Sequence, residues 1–326
     1  MTGDRGRAAV AAAALEKRFG RTQALAGVSV EIGAGELFGF VGPDGGGKTT
    51  LFRILATLMV PDGGRALVLG RDVVRDLWAL RPRIGYMAGR FSLYPDLSVV
   101  ENLQFFASVF GTTIEQARAG IAPIYSQLEP FADRRAGALS GGMKQKLALC
   151  CALVHRPEIL LLDEPTTGVD AVSRREFWDL LANLKRSGIT IVVSTPYMDE
   201  ATRCDRVALI QRGRLLATDA PQRIAASFDR PLLAVHAADR YRALLALRAS
   251  PHAAAVYPFG ESLHFVDARG DAAAGAIAED VRAYLASRGF SDVRVEPAAP
   301  TIEDVFIARM GAPEDLPDET ARSNAS

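Results

Sequence analysis

The sequence predicts an α/β fold built on a parallel sheet, followed by a small C-terminal α+β domain. Three observations support this fold class. A glycine-rich loop at residues 42–49 follows an apolar strand and opens a helix. Two continuous apolar runs, Ile159–Leu162 and Ile189–Ser194, are typical of strands buried on both faces of a parallel sheet. From residue 226 onward the predicted elements follow one another in a different order.

Short strands and one helix surround the glycine-rich loop. Apolar segments separated by glycines predict strands over Ala8–Leu15, Val28–Ile32 and Leu37–Val41. Apolar residues at helical spacing predict a helix over Thr49–Met59, and the following Pro61–Gly64 segment predicts a turn.

The middle of the chain predicts a helical subdomain at about residues 90–155. Residues 98–136 are mostly helical in pattern, and Met143–His155 forms a further helix ended by Pro157. The segment Arg174–Arg186 predicts the crossover helix between the two buried strands, with its first arginines on a solvated face.

The C-terminal region predicts a small α+β domain over residues 226–311, after a larger domain at 1–225. Its elements read strand, helix, strand, strand, helix, strand, an order compatible with a ferredoxin-like arrangement. They are Leu232–Val235, Tyr241–Leu247, Ala253–Tyr257, Leu263–Val266, Ile277–Leu285 and Val293–Val295. A closing helix is predicted over Thr301–Met310, and polar residues 312–326 predict a disordered tail.

Composition excludes several functional classes. Lys+Arg and Asp+Glu both number 38, so bulk charge gives no reason to expect a nucleic-acid partner. The longest apolar run, Leu147–Val154, is far shorter than the ~18 residues that span a bilayer. We therefore expect a soluble cytoplasmic chain that meets a membrane only through other subunits. The three cysteines show no metal-ligand spacing and are expected to be reduced and buried.

The glycine-rich loop has the pattern of a phosphate-binding loop, Gly42-x-x-x-x-Gly47-Lys48-Thr49. Glycines let backbone N–H groups approach phosphate oxygens, and the helix N-terminus favours negative charge. Lys48 is predicted to reach the β- and γ-phosphates, and Thr49 to place its hydroxyl on Mg²⁺. The alternative is a glycine-rich turn before a helix. The Lys48-Thr49 pair argues against this alternative, because the chain has few lysines. Further candidate nucleotide contacts are Asp44, Gly45, Gly46 and Thr50.

Two acidic residues, Asp163 and Glu164, end the apolar strand Ile159–Leu162. Asp163 is a candidate Mg²⁺ ligand, directly or through water, and Glu164 is the candidate general base for an attacking water. A solvated Asp-Glu turn is the alternative interpretation.

A pentapeptide at Leu139–Met143 places Ser140, Gly141 and Gly142 before a helix, where N–H groups and a hydroxyl form an anion site. With the phosphate loop upstream and Asp163-Glu164 downstream, the chain resembles the nucleotide-binding subunit of an ABC transporter, a P-loop NTPase. The resemblance covers about residues 8–225. It also places Asp170 in the D-loop and Phe19 against adenine.

The resemblance implies that Ser140, Gly141 and Gly142 bind the γ-phosphate held by the opposite subunit. ATP and Mg²⁺ would then occupy two composite sites in a dimer, at the cytoplasmic side of the membrane beneath transmembrane permease subunits. The segment Pro300–Phe306 is similar to tails of bacterial drug-export ATPases, and so implies export. The segment Phe91–Pro95 lies where the family docks its permease, although its aromatic residues could equally belong to the core.

Two positions depart from the family pattern. Gly89 stands where the family usually has a glutamine, and Pro196 stands where it has the switch histidine. Neither side chain can donate a hydrogen bond, and a lost donor to transition-state charge typically lowers the rate by roughly 10²–10³. These departures favour a heterodimer in which this chain's own ATP site is impaired. The pentapeptide Leu139–Met143, which we call the signature, would then complete the ATP site of the partner subunit. A homodimer that tolerates both substitutions is the alternative.

Two further functions compete with transport. A soluble ABC ATPase acting on nucleic acid would usually have tandem cassettes, long coiled-coil insertions or zinc modules, and the sequence contains none of these. A pseudo-ATPase that only holds nucleotide is consistent with Gly89 and Pro196, whereas Glu164 argues against it.

Overall fold

The computed structural model describes residues 8–89, 93–270 and 273–310. The chain divides into two compact units, Met1–Pro221 and Gln222–Ser326. This division falls a few residues before the predicted boundary at residue 225. The predicted tail at 312–326 lies outside the described residues.

The first unit contains two sheets. Its strands are β1 (Ala8–Phe19), β2 (Thr22–Gly33), β3 (Leu37–Val41), β4 (Gly63–Val68), β5 (Arg71–Asp72), β6 (Ile84–Met87), β7 (Ile159–Asp163), β8 (Thr190–Thr195), β9 (Arg206–Gln211) and β10 (Arg214–Asp219). An antiparallel sheet has the order β2-β1-β4-β5, and a second sheet has the order β10-β9-β3-β8-β7-β6. In the second sheet all pairs are parallel except the edge pair β10–β9, which confirms the predicted parallel sheet.

The parallel sheet brings separate loops to one edge, because the carboxyl ends of parallel strands meet there. Strands β3, β7 and β8 end at Val41, Asp163 and Thr195. The Gly42 N–H donates to the Thr195 carbonyl at 3.2 Å, and the Glu164 N–H donates to the Ser194 carbonyl at 3.1 Å. The phosphate loop and the acidic strand end therefore begin side by side.

The helices of the first unit are α1 (Lys48–Leu55), α2 (Leu77–Leu80), α3 (Val99–Val109), α4 (Ile114–Tyr125), α5 (Gly141–Leu153) and α6 (Ala171–Arg186), and α7 (Pro221–Ala226) follows. Helix α1 ends before the predicted Met59, since Thr57 has a left-handed φ of 61°. The predicted helical region 98–136 divides into α3 and α4 at Gly111, whose φ is 66°. Ser98 and Thr113 each begin their helix with a capping box.

The second unit contains a four-stranded antiparallel sheet. Its elements are β11 (Leu232–Ala237), α8 (Arg240–Arg248), β12 (Ala253–Phe259), β13 (Ser262–Asp267), α9 (Ala274–Ser287), β14 (Val293–Pro297) and α10 (Ile302–Met310). The strand order is β12-β13-β11-β14, as in a ferredoxin-like arrangement.

The helices in the described residues are all too short or too polar to cross a bilayer. The three cysteines are buried and unpaired, as predicted.

Candidate nucleotide-binding site

The phosphate loop can be built only with glycine at two of its positions. A Cβ on Gly42 would lie 2.0 Å from the Ile210 carbonyl oxygen, and one on Gly47 would lie 2.5 Å from that of Ala24. Gly47 also has a φ of 104°, which side chains rarely adopt. The loop therefore packs tightly against strands β2 and β9 while its other side lines a cleft.

The Lys48 side chain is held inside this loop. Its Nζ donates to the carbonyls of Gly42 at 2.8 Å and Pro43 at 3.0 Å. The same Nζ lies 3.1 Å from Glu164 Oε1, in an ion pair whose Lys48 side chain is 2% exposed. The predicted phosphate-binding and proton-accepting residues are thus in direct contact.

The acidic end of β7 is supported from β8. Ser194 Oγ donates to Asp163 Oδ1 at 2.6 Å and accepts from the Glu164 N–H at 2.9 Å. Burial raises the pKa of Asp163, while hydrogen bonds from Ser194 and Thr49 oppose this effect. Glu164 has a left-handed φ of 50°, a conformation that L-residues adopt at a cost and that turns its side chain toward Lys48.

The oxygen donors at this edge fit a magnesium ion. The Thr49 hydroxyl and the Asp163 carboxylate are hydrogen-bonded to each other, so the two predicted metal ligands lie together. Mg²⁺ prefers oxygen ligands and is commonly held by one or two protein groups plus phosphates and water. Among the described residues no cluster of three His, Cys, Asp or Glu could enclose a metal ion.

A cleft of about 390 Å³ extends from the phosphate loop to the end of β1. It is lined by Phe19, Thr22, Gln23, Ala24, Asp44, Gly45, Gly46, Gly47, Lys48, Thr49, Thr50 and Glu164. Phe19 is 48% exposed, so the face of an adenine ring could stack on it. Of the predicted nucleotide contacts, Phe19 and every residue from Asp44 to Thr50 line this one cleft, whereas Gly42 does not.

The pentapeptide and Asp170 do not line this cleft. Ser140 begins α5 and accepts from the Met143 N–H at 3.3 Å. Asp170 begins α6 and accepts from the N–H groups of Val172 and Ser173, which lowers its pKa. A Cβ on Gly142 would lie 2.6 Å from the Ser173 side chain, so the signature packs against the start of α6.

The two departures from the family pattern lie at Gly89, beside the acidic strand end, and at Pro196, directly after β8. A Cβ built on Gly89 would lie 3.0 Å from the Asp163 carbonyl oxygen and 3.7 Å from Glu164 Cβ. Pro196 follows the last residue of β8 and is half-buried. Neither position presents a side-chain donor to the site.

Two contributing residues, Ser194 and Glu200, lie outside the sequence predictions. Ser194 supports Asp163, and Glu200 is buried behind the strand ends. Arg174, predicted on a solvated face, has a side chain that is 27% exposed and forms ion pairs with Asp199 and Glu200. The one usable sequence signal was Ser194, a polar residue at the end of an apolar strand.

Of the predicted docking segment Phe91–Pro95, Phe91 and Ser92 lie outside the described residues. Tyr94 is 46% exposed and packs edge-on against Phe105, with ring centroids 4.7 Å apart.

Comparison with known proteins agrees with this geometry. Residues 25–167 match the family model described as ABC transporter. The chain is 42% identical to the probable multidrug ABC transporter ATP-binding protein YbhF of Escherichia coli (strain K12) over 69% of its own length. That match spans only 39% of YbhF. The chain is also 41% identical to the Nod factor export ATP-binding protein I of Burkholderia orbicola (strain AU 1054), covering 65% of this chain and 71% of the relative.

Two solved structures of ABC transporter proteins are also similar to this chain. The cbiO1 structure from Clostridium perfringens, part of the ABC transporter complex cbiONQ, is 28% identical with a TM-score of 0.60. The alignment covers 68% of this chain and 91% of cbiO1. The ATP-binding cassette MJ0796, a dimer bound to ADP and Pi, is 26% identical with a TM-score of 0.59. The alignment covers 65% of this chain and 98% of MJ0796. The chain therefore belongs to the ABC transporter family and contains that family's ATP-binding domain.

Proposed function

We propose that this chain is the subunit that binds and hydrolyses ATP to energise an ABC transporter, and that the transporter is an exporter. The observation that supports this most directly is the meeting of Lys48, Thr49 and Glu164 in one cleft beneath the glycine loop, with the buried Asp163 beside Thr49. Export is supported by the names of two relatives, a probable multidrug ABC transporter ATP-binding protein and a Nod factor export ATP-binding protein.

Each residue at the cleft has a chemical role in this proposal. Lys48 binds the β- and γ-phosphates through its buried ammonium, and Phe19 stacks on adenine. Thr49 and Asp163 hold Mg²⁺, which when bound neutralises charge that develops on the phosphate oxygens. Glu164 accepts the proton of the attacking water. The remaining contacts are Gly42, Asp44, Gly45, Gly46, Gly47 and Thr50.

The position of the signature supports a dimer with composite sites. Ser140 and Gly141 are exposed and lie outside the cleft of their own chain, and Gly142 is buried beside them. This placement is consistent with contact to nucleotide bound by a second ATP-binding subunit. Asp170 belongs to the same surface, because Gly168 in its loop packs on Gly141. The related cassette MJ0796 is described as dimeric.

The departures at Gly89 and Pro196 favour a heterodimer in which this chain's own site turns over slowly. Gly89 adjoins Asp163 and Glu164, and Pro196 follows the end of β8, the strand whose Ser194 pairs with Asp163. A donor at either position would help to orient water or stabilise transition-state charge. The partner's loops would then form the competent site with this chain's signature. Purified alone, the chain should bind ATP, hydrolyse it slowly and fail to form a catalytic homodimer. Brisk turnover by a homodimer would contradict the asymmetric arrangement.

Permease subunits would anchor the chain at the cytoplasmic side of the membrane. An apolar groove of about 530 Å³ offers a docking surface for a permease helix. We call this surface the α2–α3 groove; its lining includes Leu58, Trp78, Phe106, Val109 and Phe110. Trp78 is 78% exposed and Val109 61% exposed, which is unusual for apolar side chains that meet only water.

Single-turnover hydrolysis separates this function from a pseudo-ATPase. Phosphate release from ATP bound to the chain, alone or with its partner subunit, supports an enzyme, whereas stable ATP without any release supports a scaffold. Binding to DNA or RNA across a salt series tests the soluble alternative. The net charge of zero argues against that alternative.

A further inference from the structure

A buried carboxylate lies behind the ATP site. Glu200 is 3% exposed and belongs to the short 3₁₀ helix Met198–Arg203 that follows β8. Its Oε1 accepts from Thr166 Oγ1 at 2.8 Å, and its Oε2 accepts from Thr195 Oγ1 at 2.5 Å. A carboxylate at this depth is stable only while such partners remain in place.

A third element reaches the same carboxylate from α6. Arg174 Nε lies 3.7 Å from Glu200 Oε1, and Arg174 Nη2 donates to Asp199 at 3.2 Å. The Arg174 guanidinium also lies over the Tyr197 ring, 4.9 Å from its centroid. The start of α6 is thereby attached to the segment that follows Pro196.

These three partners come from three functional segments. Thr166 lies in the loop that follows Glu164, Thr195 ends β8 directly before Pro196, and Arg174 is in the first turns of the helix that Asp170 begins. Thr195 Oγ1 also accepts from the Tyr197 N–H at 3.0 Å. Since Pro196 has no N–H, this hydroxyl and its bond to Glu200 fix the turn.

Contacts between α6 and α5 link this group of residues to the signature at the start of α5. Gly142 packs on Ser173, the neighbour of Arg174, and Lys146 of α5 donates to Glu176 of α6 at 2.7 Å. A shift of α6 would therefore move the surface that the chain offers to nucleotide on a partner.

We infer that Glu200 is a positioning residue for ATP hydrolysis. It fixes the loop after Glu164, the turn at Pro196 and the start of α6 in one arrangement. The inference rests on the proposed function. Glu200 lies behind the strand ends and does not line the nucleotide cleft. Its removal should therefore affect the chemical step much more than ATP affinity.

The test compares Glu200→Ala and Glu200→Gln in the full chain, with Asp72→Asn as a matched control. Asp72 is a carboxylate of 8% exposure whose bonds to Arg65, Val74 and Arg75 lie outside the site. Single-turnover hydrolysis should fall roughly 10²-fold in Glu200→Ala, the loss typical of a small misplacement at a reacting centre. The Kd for ATP should stay within about 3-fold, because no nucleotide contact is removed.

Glu200→Gln retains one acceptor oxygen and can therefore form one of the two hydrogen bonds. Its single-turnover hydrolysis should be about 10-fold faster than that of Glu200→Ala. Asp72→Asn should hydrolyse like the wild type. Wild-type hydrolysis in Glu200→Ala, or equal losses in it and in Asp72→Asn, would overturn the inference.

Hydrogen exchange on the nucleotide-free chain separates the two proposals. If the wild type releases no phosphate, alone or with its partner subunit, the proposed function fails, and the positioning role is judged from exchange alone. Glu200→Ala should then speed exchange at residues 166–174 and 195–199 at least about 10-fold more than Asp72→Asn does, since local opening reports lost local stability. Unchanged exchange in both segments overturns the inference.

Discussion

The ammonium of Lys48 and the carboxylate of Glu164 lie 3.1 Å apart, so two residues with separate proposed roles in ATP hydrolysis neutralise each other. Phosphate must compete with Glu164 for the same buried ammonium. The ion pair thus links nucleotide binding to release of the proposed general base.

Glu164→Gln should bind ATP more tightly than the wild type, because it removes the competing charge at Lys48. Its single-turnover hydrolysis should fall roughly 10²–10⁴-fold, the usual contribution of a positioned base. Lys48→Ala should instead weaken ATP binding by about 10–100-fold, through loss of charge-assisted hydrogen bonds. Titration with a fluorescent ATP analogue measures both affinities. Weaker binding by Glu164→Gln would contradict the competition.

Gly89→Gln combined with Pro196→His should raise turnover at this chain's own site by at least about 10-fold, since each restores a side-chain donor. The Gly89 backbone is not left-handed, but any Cβ there meets the Asp163 carbonyl at 3.0 Å. Gly89→Ala with Pro196→Ala therefore serves as the control for crowding without a donor. Steady-state phosphate release is the measurement. Equal rates in the two double variants would show that these donors do not limit turnover.

Val109→Glu should remove permease binding while leaving ATP affinity unchanged. Val109 is 61% exposed in the α2–α3 groove, so a charge there harms docking but not the fold. Co-purification of membrane subunits with the tagged chain is the measurement. Tyr241→Glu on α8, at a residue that is 72% exposed, is the matched surface control. Retained membrane subunits in Val109→Glu would exclude the groove as the docking surface.

Asp304→Asn should destabilise the second unit by about 2 kcal/mol at pH 7. Burial alone would raise the pKa of Asp304, but hydrogen bonds from His264, Thr301 and Tyr257 outweigh it and lower the pKa to about 2. Because the pKa is lower in the folded state, this stability is complete above about pH 4 and is lost as the pH falls toward 2. Urea unfolding at pH 7 and at pH 3 measures it. The difference in the free energy of unfolding between Asp304→Asn and the wild type should be smaller at pH 3 than at pH 7.

The same carboxylate explains the motif at Pro300–Phe306. Asp304 is fully buried and accepts from Tyr257 OH at 2.7 Å and from the Thr301 N–H at 2.7 Å. Helix α10 is thereby fastened to strands β12 and β13.

Where local structure depends on neighbouring residues in the chain, the sequence predicted that structure well. The phosphate loop, the apolar strand before Asp163 and the strand and helix order of the second unit are local patterns set by glycine, apolar run length and periodicity. The helix limits were less accurate. The break at Gly111 and the early end of α1 at Thr57 depend on single left-handed residues that the patterns do not identify.

The sequence by itself determined the family and the two departures at Gly89 and Pro196, and it predicted the nucleotide residues. Only the tertiary structure decided that Lys48 pairs with Glu164, that Ser194 supports Asp163, and that Glu200 joins Thr166, Thr195 and Arg174. Most of these contacts join residues that are distant in the chain and meet at one sheet edge. Strand order brings them together, and short-range periodicity holds no information about strand order.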